Sequence, residues 1–212
     1  MSYFFKSFYR DFHSPISTLT GIAILVMAGG RLAYAICVTA ALFWIYALSA
    51  IVVFFTQIIY PKIGQKYLLI FISSFFASVF LFAVSFISPL LTMKIAFVII
   101  LIPCYCAASS MFSRLNDLEF EKVMTKVSVE AGSLSLLVIA FALIREPLGY
   151  MSLTLPGGPE GIIELFPQFE EDSFLPIRII TSSAGSLLLL GYAVALFRSI
   201  KKQRTEIGGQ ND

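Results

Sequence analysis

Five stretches of this chain contain no Asp, Glu, Lys or Arg: residues 12–30, 32–61, 67–93, 95–113 and 179–197. A sixth, 127–144, is interrupted only by Glu130. A helix needs about 20 apolar residues to cross the hydrocarbon of a bilayer, where the backbone must satisfy its own hydrogen bonds. These stretches have that length, and none alternates with period two as a half-buried strand would. The sequence therefore predicts an all-α integral membrane protein with six transmembrane helices. Composition agrees: 58% of the 212 residues are hydrophobic and 13% are charged, against about 25% charged in a soluble domain. A net charge of +2 with scattered basic residues does not suit a nucleic-acid partner. Three cysteines, all in apolar stretches, make no disulfide framework. The first residues, MSYFFKSFYRDFHSP, lack a small-residue cleavage site after a short apolar region and read as a retained cytoplasmic lead-in.

Six spans put both chain ends on one side. With the N-terminus inside, the cytoplasmic segments hold eleven basic residues: Lys6, Arg10, Lys62, Lys66, Arg114, Lys122, Lys126, Arg198, Lys201, Lys202 and Arg204. The other side holds four, Arg31, Lys94, Arg145 and Arg178. Positive charge is retained inside, so the expected orientation is N-in and C-in. The basic tail 198–212 is then cytoplasmic, and the segment 147–173 is an external loop. Pro147, Pro156, Gly157, Gly158, Pro159 and Gly161 break regular structure in that loop. Its charge between Glu160 and Asp172 is wholly acidic, which suits a solvated loop or a docking surface for another subunit.

The first and fourth spans are alike in kind. Each carries small residues or a breaker midway, STLTGIAILVMAGG over 17–30 and IPCYCAASS over 102–110, and each is followed by two ordinary spans. Residues 1–92 and 93–212 then read as two three-helix repeats of inverted orientation, with interrupted first and fourth helices meeting near the midplane.

The stretch LIREPLGYMSLTLPGG over 143–158, continued by FLPIRIITSSAGSLLLLGYAVALFRSIKKQR over 174–204, resembles the six-helix membrane subunits of the Rnf and Nqr redox-driven ion pumps, of the RnfE/NqrD type. The order of elements is similar over nearly the whole chain. The resemblance implies a subunit of a bacterial inner-membrane complex that passes electrons from ferredoxin or NADH and moves Na⁺ or H⁺. It also implies an oppositely oriented sister subunit, with flavins and iron–sulfur centres in partner subunits. Members of that family carry one cysteine in each interrupted helix and share an intramembrane iron–sulfur centre between two subunits. Here the sequence departs from them. Ala23 stands where the first cysteine is expected, and Ser109, six residues after Pro103, where the second is.

Cys104 and Cys106 are the candidate substitutes. Residues two apart on a regular helix point about 200° apart, so the pair cannot face one metal unless Pro103 loosens the turn. The first span has no cysteine, and metal or iron–sulfur sites use four ligands. Cys37 lies in the second span, where the family offers no ligand. The expectation is that the chain holds no iron–sulfur centre or metal by itself and that its cysteines pack as small residues.

Two further places draw attention. Arg145 and Glu146, at the external end of the fifth span, suit an interfacial ion pair, a contact to a partner helix or the lining of an ion exit. Glu130, a carboxylate about one turn inside the cytoplasmic edge, either reaches water or handles an ion, since carboxylates at membrane depth are costly. Residues 113–126 can form an amphipathic interfacial helix. His13 has no ligand motif around it, Trp44 and the N-terminal aromatics suit interfacial anchoring, and Gly29-Gly30 suits a helix end. No nucleophile–base pair, HExxH, phosphate loop or dinucleotide fingerprint is present. The expected role is a non-catalytic subunit of an ion-translocating oxidoreductase, with a small transporter or membrane scaffold of a non-redox complex as the alternative.

Overall fold

The structure, a computed structural model, describes residues 15–56, 65–108, 120–157, 161–165 and 178–208. It is mostly helical. Four helices are long and apolar enough to cross a membrane: α2 (Leu32–Thr56), α3 (Gln65–Ile87), α4 (Pro89–Ala108) and α5 (Phe120–Tyr150). Before them comes α1 (Pro15–Ala28), and after them the one-turn α6 (Arg178–Thr181) and α7 (Ser183–Gly208). The apolar described parts of α1 and α7, Leu19–Ala28 and Ser183–Ala195, are shorter. These lengths and compositions are those of a multi-pass membrane protein.

The turns follow from local chemistry. Gly29 and Gly30 close α1, and the Gly29 amide donates to the Leu25 carbonyl at 3.0 Å. A Cβ on Gly29 would lie 2.6 Å from the Phe141 ring, so only glycine lets α5 approach here. Ser88 is the whole connection between α3 and α4. Its amide donates to Val84 O at 2.9 Å, its hydroxyl accepts from the Leu91 amide at 3.3 Å, and Pro89 occupies the first helical position. That is an N-cap followed by a proline whose missing N–H costs nothing there. Ser182 separates α6 from α7 and caps α7 by accepting from the Gly185 amide at 3.1 Å.

Between α5 and α6 the chain forms a small antiparallel hairpin, β1 (Thr154–Pro156) with β2 (Ile162–Glu164), in register Thr154↔Glu164, Leu155↔Ile163 and Pro156↔Ile162. Gly161 in its loop has φ +82°, and a Cβ there would lie 2.6 Å from Ser88 Oγ. The hairpin tip therefore rests on the α3–α4 turn. Its base rests on the start of α2. One end of the molecule thus gathers the hairpin, the α1–α2 and α3–α4 turns, the end of α5 and the start of α6. Arg31, Lys94, Arg145 and Arg178 belong to this end, whereas Lys66, Lys122 and Lys126 start helices at the other.

α2 and α5 form the centre, with α4 and α1 against them. Val38, Leu42, Ile45 and Tyr46 from α2, Ile95, Ile99 and Ile102 from α4, and Val127, Ala131, Leu134 and Val138 from α5 are buried. The outside is as apolar as the inside: Phe71, Phe75, Phe82 and Phe86 of α3 are all more than half exposed. Trp44 is also on the surface. Such a surface suits lipid, where association rests on close packing of small residues rather than on burial.

Several expectations are corrected. Neither α1 nor α4 is interrupted over the described residues: α1 runs unbroken through Ala23, and α4 runs unbroken through Pro103 to Ala108. The small residues of α1 admit neighbours instead of breaking the helix, since the position of a Cβ on Gly21 would be 3.4 Å from the Tyr105 ring. The interruptions that do exist lie at Gly29–Arg31 and at Ser182. The turn before α4 lies at Ser88, where the cap and Pro89 set the helix start, and Lys94 lies within α4. The segment that follows α5 begins at Met151 rather than at Pro147. Pro147 sits in the last turn of α5, and Met151, with φ 51° and its amide on Pro147 O at 3.1 Å, ends the helix. The hairpin also departs from an all-α chain. Residues 120–126 are not a separate interfacial helix but the first turns of α5. The tail continues α7 to Gly208. Ser109, His13, residues 113–119 and most of 158–173 lie outside the described residues.

Candidate functional site

Two polar clusters sit in this apolar bundle. The first is built on Arg145 and Glu146, consecutive residues at the end of α5, which are 4% and 0% exposed. They do not form the interfacial pair expected. Each turns to a different set of broken helix ends.

Arg145 meets carbonyls. Its Nη1 donates to Val26 O at 2.9 Å, in the last turn of α1, and its Nε to Ile180 O at 3.0 Å. Its Nη2 donates to Thr181 O at 2.7 Å and reaches Ser182 O at 3.5 Å. The last carbonyls of a helix have no partner within it and carry the negative end of the helix dipole. A guanidinium, with five N–H donors in a fixed fork, fits several at once. Glu146 meets amides and a hydroxyl. Oε2 accepts from the Leu32 amide at 2.7 Å, capping α2, and Oε1 accepts from Thr154 Oγ1 at 2.6 Å. Thr154 Oγ1 in turn accepts from the Ala33 amide at 3.4 Å. A carboxylate at a helix N-terminus is favourable for the same dipole reason. Above the cluster Arg31 pairs with Glu164 at 3.8 Å, part-exposed, and stacks 5.1 Å from the Tyr150 ring.

Interrupted helices in transporters offer carbonyls to cations and amides to anions. In this chain those positions are filled by its own side chains. Arg145 is the tethered cation and Glu146 the tethered anion, so the cluster reads as a latch.

The second cluster lies one helix length away, toward the opposite end. Tyr46 on α2 is fully buried, and its ring is 6.3 Å from that of Tyr105 on α4. Cys106, next to Tyr105 on α4, is fully buried, and Glu130 on α5 is part-exposed. Ser49, one turn beyond Tyr46 on the same face of α2, is 0% exposed and its hydroxyl has no hydrogen-bond partner. Gly21 of α1 lies against Tyr105 and completes the wall. An open groove of about 640 Å³ on α5 is lined by Phe120, Glu121, Met124, Thr125, Ser128 and Val129. At about 100° per residue these face away from Glu130, so the groove does not lead to the cluster.

The cysteines fall as helix geometry demands. Cys104 is exposed, Cys106 buried and Cys37 part-buried on α2. Among the described residues no group of three His, Cys, Asp or Glu side chains is placed to hold a metal. Sequence reading named Arg145, Glu146 and Glu130 but not their partners. Leu32 is contributed from 114 residues away and Thr154 from the hairpin that follows α5. No known family model matches the chain, and no curated protein matches its sequence.

Proposed function

We propose that the chain is a membrane subunit of an Rnf/Nqr-like electron-transport-coupled ion pump, held in the bacterial inner membrane with both ends inside. The observation that carries this reading is what the family-like stretch at 143–158 does. Its Arg-Glu pair and its Thr form one latch that joins both halves of the chain, as a framework subunit requires.

A six-span inverted repeat belongs to the same reading. Exchanging α1, α2 and α3 for α4, α5 and α6–α7 carries the main helix contacts onto one another. The α2–α5 and α1–α4 contacts map onto themselves. The α2–α3 contact maps onto α5–α6, α2–α4 onto α5–α1, and α3–α4 onto α7–α1. Because three is odd, such an exchange reverses direction in the membrane. In this arrangement an oppositely oriented sister subunit packs beside the chain, and electrons travel through flavins and iron–sulfur centres of partner subunits. Ala23 and the opposed Cys104 and Cys106 leave no ligand set within the described residues of this subunit, so its share is framework and ion handling.

That lack of thiol ligands also favours a second reading, a relative recruited as a small transporter or as a scaffold of a non-redox complex. Purification of the tagged chain from native membranes separates the two. Flavin- and iron-containing subunits in stoichiometric amount support the pump. An ATPase or a solute-binding protein in their place, or recovery of the chain alone, removes it.

A further inference from the structure

The oxygens gathered around Arg145 make the solvation shell of a cation, assembled from two places far apart in the chain. We infer that this cradle is a binding site for an alkali cation, Na⁺ or K⁺, in which the Arg145 guanidinium is the resident, tethered occupant.

Four main-chain carbonyls face one side chain. Val26 O, in the last turn of α1, lies 2.9 Å from Nη1, and Ile180 O, in α6, lies 3.0 Å from Nε. Thr181 O and Ser182 O lie 2.7 Å and 3.5 Å from Nη2. Neutral carbonyls at helix ends and breaks are the ligands that membrane transporters offer to small cations. Oxygen is also the donor that hard cations take. A buried salt bridge would be built differently. The neighbouring carboxylate of Glu146 gives its oxygens to the Leu32 amide and the Thr154 hydroxyl. The guanidinium is therefore held by carbonyl dipoles, as a bound ion is.

The local fold explains why these oxygens converge. Ser182 separates α6 from α7, and Gly185 lets the chain turn back tightly there, since a Cβ on it would run into the Ile179 carbonyl. Gly29 and Gly30 end α1 on the other side of the guanidinium. Ser182 itself is exposed, so the cradle has its rim there, where water can supply an ion's remaining ligands. The cradle holds one positive charge. An alkali cation reaches these oxygens only when the guanidinium swings out, and that movement also unties α1 from α6. Ion binding and the latch exclude each other. The inference goes beyond the function proposed above and stands under either reading, because it concerns only the oxygens of this chain.

The test is thermal unfolding of full-length Arg145→Ala in detergent, at matched ionic strength in choline, sodium, potassium and guanidinium chloride. The variant keeps the carbonyls and removes their occupant. The expected result is a saturable rise of about 5 °C over choline in NaCl or KCl, at about a hundredfold excess of ion over its Kd. The salt that acts at the lower concentration identifies the ion. The unsubstituted chain should melt alike in choline, sodium and potassium. A variant that ignores both Na⁺ and K⁺ overturns the inference, even if guanidinium raises its midpoint, because the cradle then recognises only planar N–H donors. An equal rise in the unsubstituted chain also overturns it, since the ion then binds elsewhere. Should Arg145→Ala fail to fold, Arg145→Lys decides. Its midpoint must become sensitive to Na⁺ or K⁺ at alkaline pH, where the ammonium loses its proton, and insensitivity there overturns the inference. The readout needs no partner subunit, so its failure is separate from a failure of co-purification.

Discussion

The two ends of this bundle treat charge in opposite ways. At the hairpin end, Arg145 and Glu146 are almost completely enclosed, and every short contact they make is to a fixed backbone group or to one hydroxyl. At the other end, Glu130 is only part-buried. A charge surrounded by oriented carbonyls or amides has one favoured state, since desolvation is repaid only by that geometry. A part-exposed carboxylate keeps part of its solvation and depends less on any one geometry. The first arrangement holds helix ends in place, and the second does not have to.

The most severe way to break this contrast is Arg145→Ala. It strands the carbonyls of Val26, Ile180 and Thr181 away from any donor, and removal of one side of a buried charged network costs about 3–5 kcal/mol. The expected outcome is a large fall in the thermal midpoint of the chain in detergent. Arg145→Lys should recover little, because an ammonium cannot span the same fork. Added guanidinium should partly restore the thermal midpoint of Arg145→Ala, and added choline should not.

Next in size is Gly161→Ala. A side chain at φ +82° that also meets Ser88 Oγ costs about 1–3 kcal/mol. The hairpin should lift from the α3–α4 turn, read as faster protease cleavage in the loop around Gly161 with the helices left intact. Unchanged cleavage would mean that the hairpin does not bear on that turn.

Glu146→Gln is milder. An amide oxygen can still cap Leu32, and the Thr154 hydroxyl can rotate to accept, so only the charge–dipole part is lost, about 0.5–2 kcal/mol. Hydrogen exchange at the Leu32 and Ala33 amides should accelerate, while amides near Tyr46 should not change.

The contrast also explains what could be read from the chain beforehand. Charge-free stretches located α2–α4, and one interrupted only by Glu130 located α5, because span length is a local property of composition. Gly29-Gly30 was legible as a helix end, and the opposition of Cys104 and Cys106 followed from helix pitch alone. The breaks were misread, because a small residue in a membrane helix means either a break or a close neighbour. Gly21 has Tyr105 and Gly29 has Phe141, and neither neighbour is near in sequence. Pro147 was assigned to the loop, although a proline in a final helical turn forfeits little. The hairpin strands have three residues each, too short for any periodicity. The latch was the least visible of all, since Glu146 caps an amide 114 residues away. Its residues were legible as candidates, but their role was set by partners that only the fold brings near.

The sharpest use of the comparison is the variant with the smallest expected effect on stability. Glu130→Gln keeps the shape and the hydrogen-bonding capacity of the side chain and removes only its charge change. Because Glu130 is part-exposed, the folded chain should shift by no more than about 0.5 kcal/mol in either direction. Thermal unfolding of the purified chain, run beside Arg145→Ala and Glu146→Gln, measures all three on one scale. If Glu130 does not hold the bundle together, the midpoint stays. A midpoint that falls as far as in Arg145→Ala would make Glu130 another fixed anchor. The two ends of the bundle would then do the same work, and the contrast between them would be lost.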